Sequence, residues 1–172
     1  ESEEAAIKYF LLGAFASSFV VYGIALVYGA AQTTQLTEIV NSAQAGLVDS
    51  GLLLLGAALI LVGLGFKVAA VPFHMWTPDV YQGAPSSVTA FMSVGAKAGG
   101  FAAFLRIFIV AFTSVADSWG PLVMWIAALT MTWGNVAAIS QSNIKRMLAF
   151  SSIAHACYIL MVLPAATNSQ VA

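Results

Sequence analysis

Two lysines stand inside long apolar runs. Lys67 lies in LGFKVAAVP, between Leu64 and Pro72, and Lys97 lies in SVGAKAGG, between Ser93 and Gly100. The run that holds Lys97 begins near Ser86, so this lysine is roughly twelve residues, or about 18 Å, inside it at 1.5 Å per residue. That is near the middle of a hydrocarbon core about 30 Å thick. A lysine at such a depth costs about 3 kcal/mol on insertion scales and normally faces a bundle interior or water. A desolvated lysine also gives up its proton more readily than one in water, and a row of such groups joined by water is a proton relay. Each lysine has a plainer reading. Lys67 can snorkel to an interface, and Lys97 can be paired with a carboxylate on a neighbouring helix and take no part in transport.

Other residues could join or tune such a relay. Pro72 lies between Lys67 and His74. It removes a backbone donor and should break the helix, and broken helices in transporters expose backbone groups beside ion paths. A kink that merely ends the span explains it equally well. His74 and His155 can carry protons near neutral pH, although a hydrogen-bonded structural histidine is the simpler assignment for both. Glu4 and Lys8 are spaced i, i+4 in the order that favours an ion pair. Arg106 reads as a snorkelling or paired residue. Gly95 and Gly99 form a small-xxx-small pair that lets another helix approach.

These residues need a membrane to position them. The chain has 172 residues, 60% of them hydrophobic and only 8% charged. A soluble domain is nearer a quarter charged, so lipid must cover much of this surface. In lipid every backbone polar group is paired internally, and the apolar runs are too long for barrel strands. The expected fold is therefore all-α, a polytopic transmembrane helix bundle of about five spans, forming a single transmembrane region over residues 1–172. The spans are expected at Ile7–Gly29, Gly51–Val71, Ser86–Phe112, Leu122–Ile139 and Met147–Leu163. Between them lie a polar loop from Gln32 to Ser50, a loop from Trp76 to Pro85, a turn from Asp117 to Pro121 and the polar run Ser140–Asn143. Pro164 is expected to end the last span.

Lys8, the Trp76–Pro85 loop and Lys145/Arg146 fall on one side of an alternating path, the cytoplasmic one by the positive-inside rule. Trp76, Tyr81, Trp119 and Trp125 lie near span ends, as aromatic-belt residues do. The net charge of −1 includes no basic tract, so nothing suggests nucleic acid. A single cysteine, Cys157, makes neither an internal disulfide nor a metal site. The sequence opens on the acidic run Glu1, Ser2, Glu3, Glu4 without a Met, which predicts an internal piece of a longer membrane protein rather than a signal peptide.

The run from Gly63 to Pro85, GLGFKVAAVPFHMWTPDVYQGAP, resembles the signature of the antiporter-like proton-channel family of NADH:quinone oxidoreductase (respiratory complex I). The run from Ser140 to Tyr158, SQSNIKRMLAFSSIAHACY, resembles the second signature of that family, and SEEAAIKYF, from Ser2 to Phe10, resembles the segment entering an earlier helix. The wording VYQGAP is similar to the subunit N branch. The resemblance implies a bundle built of two inverted half-repeats, of which this chain is a central stretch in a bacterial inner membrane. It implies a proton path through mid-membrane lysines, with Lys67 on the family's lysine in a broken helix and Lys97 on the lysine of the next helix. His74, His155, Glu4 and Lys8 also fall on family positions. The family's glutamate would lie upstream of Glu1, and a further lysine beyond Ala172.

The implied function is that of a proton-translocating membrane subunit, a translocase component that couples NADH oxidation and quinone reduction to proton transport. Its expected partners are the other membrane-arm subunits and the lipid bilayer. No cofactor is expected in this chain: NADH, FMN, Fe–S clusters and quinone would act elsewhere in the complex, and the sequence has no cysteine set or Gly-rich loop for them. Two rivals remain. One is a subunit of a multisubunit cation/proton antiporter or membrane-bound hydrogenase, and the other a structural membrane subunit whose lysines never titrate.

Overall fold

The computed structural model describes residues 2–168. Its elements are α1 (Ser2–Ala31), α2 (Leu36–Gln44), α3 (Ser50–Val68), α4 (Trp76–Gly83), α5 (Ser86–Phe91), α6 (Lys97–Arg106), α7 (Ala116–Ile139) and α8 (Ile144–Asn168). π-helical segments Met92–Ala96 and Ile107–Ala111 make α5 and α6 parts of one rod. Five helical segments are long and apolar enough to cross a membrane: Ser2–Ala31, Ser50–Val68, Ser86–Ala111, Thr113–Ile139 and Ile144–Ala166. The chain is an all-α transmembrane bundle, and the five expected spans are all present.

The helices meet through small residues. With lipid as solvent no hydrophobic force separates helix from tail, so close backbone approach supplies the packing. A Cβ on Gly23 would lie 2.8 Å from the Gly56 carbonyl oxygen, and one on Gly63 would run into Val20. These contacts seat α1 on α3. Gly134 does the same for α7 against Ala154 and Phe150 of α8. Gly95 and Gly99 do not: a Cβ on Gly95 would meet only the ring of Phe91 in its own helix, and one on Gly99 would meet nothing within 4 Å. The expected helix contact at that pair is made one residue later, where Gly100 rests against Val68 and Lys67.

Several connections differ from expectation. The polar stretch after α1 contains α2, whose Ile39 is buried against the core. The Trp76–Pro85 loop is mostly α4, a short helix packed on α1 and α8. The Asp117–Pro121 turn lies inside α7, and α8 continues past Pro164 to Asn168. Each proline removes one helical donor, which transmembrane helices tolerate when neighbours support the backbone. Here Gly120 brings α7 to within 3.7 Å of Pro164, measured from a Cβ built on the glycine.

The aromatic-belt reading fails for three of its four residues. Trp76, Tyr81 and Trp119 are buried, and only Trp125 is exposed. The two buried indoles serve the backbone at helix ends. Trp76 Nε1 donates to the Phe66 carbonyl at 2.9 Å, and Trp119 Nε1 donates to the Phe112 carbonyl at 2.8 Å. An aromatic body with one polar handle suits such buried sites as well as it suits an interface.

Candidate functional site

The site is built around the break between α3 and α4. Asp49 caps the start of α3 by accepting the Leu52 N–H at 2.9 Å. The other end stops at Ala69, whose φ of 62° is left-handed. Ala70 N–H then donates to the Gly65 carbonyl at 2.9 Å, and Ala69 N–H to the Phe66 carbonyl at 3.1 Å. This is a Schellman closure with alanine where glycine is usual. The chain passes through a cis Val71–Pro72 peptide before α4 starts at Trp76. Thr130, fully buried on α7, accepts the Val71 N–H at 2.9 Å and donates to the Ile126 carbonyl at 2.5 Å.

Lys67 lies on the last turn of α3, just before this break. It is exposed within the chain, and its Nζ sits 5.8 Å from the centre of the Tyr9 ring of α1. No acidic side chain pairs with it among the described residues. Lys97 lies at the junction of the first π-helical segment and α6. It is only 6% exposed, and its Nζ donates to Ser152 Oγ at 2.7 Å and to the Ser152 carbonyl at 2.9 Å. Its partners are neutral, so the plainer reading, a carboxylate pair on a neighbouring helix, is not met among the described residues. Lys67 packs beside Gly100, one turn from Lys97 along α6. That offset is about 4.5 Å of helix rise, so the two lysines share nearly one depth.

His74 sits half-buried in the break, its ring centre 6.3 Å from that of Trp133. His155 is exposed on α8, with Nδ1 2.8 Å from the Ser151 carbonyl oxygen, so that nitrogen carries the proton. Arg106 is exposed on the last turn of α6.

A second cluster gathers at one end of the bundle. Lys8 reaches Glu4 at 2.8 Å, as the i, i+4 spacing predicts, and also Asp79 at 3.0 Å. Arg146 Nη1 reaches the other oxygen of Asp79 at 2.6 Å, and Lys145 donates to the Ala84 carbonyl at 3.2 Å. Asp79 of α4 thus ties α1 to α8. Burial pushes its carboxyl up, but Lys8 and Arg146 together outweigh this and hold it below the usual carboxylate range. The cations that alternation placed on one side do share one end. Asp79, Thr130 and Ser152 were not legible as partners in the sequence. Their only signal was polarity within or beside apolar runs, which many helix residues share.

The sequence matches, over residues 1–172, the family described as NADH:quinone oxidoreductase/Mrp antiporter, TM. The chain belongs to that family. A relative from Trichlorobacter lovleyi named NADH-quinone oxidoreductase subunit N is 55% identical over 94% of this chain and 33% of its own length. One from Solibacter usitatus, named NADH-quinone oxidoreductase subunit N 1, is 54% identical over 99% of this chain and 35% of its own. The chain therefore spans about a third of these relatives. Among solved structures it is similar to a chain of respiratory complex I from Thermus thermophilus, with a TM-score of 0.80 and 45% identity over 97% of this chain and 35% of that one. It is also similar to a chain of the Mrp complex from Dietzia, with a TM-score of 0.84 and 25% identity over 94% of this chain and 29% of that one. This family membership and the five spans make the chain part of a multi-pass membrane protein.

Proposed function

We propose that this chain is the central portion, a single transmembrane region, of a proton-translocating subunit N of a bacterial NADH:quinone oxidoreductase in the inner membrane. The observation that carries the reading is Lys97, buried in a membrane span and held, among the described residues, by the neutral Ser152 hydroxyl and carbonyl. A cation so placed has no counter-charge to pin its proton, so a small change in a neighbouring charge can decide whether it keeps it. Lys67, one turn away in level and beside a broken helix, is the second relay group. Its exposed face is open to the acid that the family resemblance places upstream of Glu1.

Lys67 takes up a proton when that acid and the rest of the membrane arm change their charge, and Lys97 passes it along the bundle axis. His74 and His155 are further relay candidates, and Glu4 and Lys8 tune the entry end through Asp79. The redox groups (FMN, Fe–S clusters, NADH and quinone) act in other subunits, and this chain holds none. Its partners are the neighbouring membrane-arm subunits and lipid. An antiporter reading draws on the Mrp likeness, but the identity of 25% there against 45% for complex I favours the oxidoreductase.

The deciding experiment is proton pumping per NADH oxidised in vesicles, with Lys67→Ala in the full-length subunit and assembly verified. A sharp fall with artificial-acceptor NADH oxidation intact supports the relay. Normal pumping by the assembled variant would make the lysine structural.

A further inference from the structure

Ser152 meets Lys97 on one side and an open groove on the other. The groove, about 590 Å³, runs between α5 and α8; its polar groups include Thr89, Ser93, Lys145, Ser151, Ser152 and His155, and apolar surface makes up most of its wall. Its lining extends along α8 as far as Lys145, at the charged end of the bundle. Lys97 is not among the groove-lining residues, and 6% of it is exposed. The Ser152 hydroxyl, 2.7 Å from Nζ, is thus the polar side chain that both touches the lysine and borders the groove.

We propose that Ser152 is the positioning residue that couples Lys97 to water in this groove. A serine hydroxyl can accept from an ammonium, and can donate to the free amine once the proton has left. It therefore keeps Lys97 bonded in both protonation states while its other lone pair faces groove water. The Ser152 carbonyl, 2.9 Å from Nζ, can only accept: it takes an N–H from the ammonium or from the free amine, but it cannot satisfy the amine's lone pair. A hydroxyl at this point lets the proton move without leaving the lone pair of a buried amine unpaired. The inference rests on the reading of Lys97 as a relay group.

The test uses the full-length subunit in the assembled complex, comparing Ser152→Ala, Ser152→Thr and Lys97→Ala. Pumping per NADH is measured across a pH series, with assembly verified by artificial-acceptor oxidation and subunit content. Ser152→Ala is expected to lower coupled turnover at least about tenfold, the scale of one charge-assisted hydrogen bond. It should also shift the pH profile about one unit toward acid, because the hydroxyl's bond to the ammonium is stronger than its bond to the free amine and the charged form loses more. Ser152→Thr, which keeps the hydroxyl, should restore both. If Lys97→Ala abolishes pumping while Ser152→Ala matches the parent, Ser152 has no such role and the relay reading stands. If Ser152→Ala and Ser152→Thr lose activity equally with no profile shift, the serine only packs and the proposal is overturned. If Lys97→Ala pumps normally, the relay reading falls and the role of Ser152 falls with it.

Discussion

Thr130 on α7 accepts the Val71 N–H at 2.9 Å, across 59 residues of sequence, and so fastens the break that follows Lys67 to a different helix. The break leaves backbone donors without helical partners, and in a membrane core no water replaces them. Thr130→Val keeps the shape and deletes the acceptor. It is expected to destabilise the subunit by about 1–3 kcal/mol, the cost of leaving one buried donor unpaired. Thr130→Ser should retain most of the stability. Thermal unfolding of the purified subunit in detergent would check both. Equal stability of the valine variant would mean that α7 does not hold the break.

The cluster at the charged end makes stability depend on pH through Asp79. Its carboxyl is held below the ordinary value when folded. The contribution of its ion pairs is therefore fully present above the usual carboxylate range, and is lost as pH falls through that range and then through the lower folded value. Asp79→Asn is expected to lower stability at neutral pH and to flatten the acid limb below about pH 4. Melting temperature against pH, parent and variant side by side, reads both effects. An unchanged acid limb would assign that limb to other carboxylates.

Close packing of α1 on α3 sets the platform on which Lys67 and Tyr9 meet. A side chain at Gly63 would collide with Val20 and approach the Ala16 carbonyl oxygen to 2.8 Å. Gly63→Leu is expected to cost about 3 kcal/mol through overpacking and to reduce the assembled subunit in the membrane. Gly13→Ala is the control, since its Cβ would make only an ordinary contact of 3.9 Å with Phe66. Immunoblots of membranes, with the purified complex sized by native gel, distinguish the two. Full assembly with Gly63→Leu would show that the helices can separate there.

Much of this protein is legible in its sequence. Composition and run length determined a multi-pass helix bundle, because lipid admits no other way to pair the backbone of such long apolar runs. Depth along the run from Ser86 singled out Lys97, because the cost of a charge depends on its distance from water. The i, i+4 pair of Glu4 and Lys8 followed from helix periodicity alone. Tertiary structure decided the rest. Trp76 and Trp119 look like interface anchors in sequence, but their indoles are turned inward by carbonyls at helix ends. Pro121 reads as the end of a turn and Pro164 as the stop of a span, yet α7 and α8 run through them in close contact with each other. Ser152, Thr130 and Asp79 found their partners 55, 59, and 71 and 67 residues away. Periodicity reports which face of a helix a residue occupies, but only the packed bundle determines which other helix that face meets.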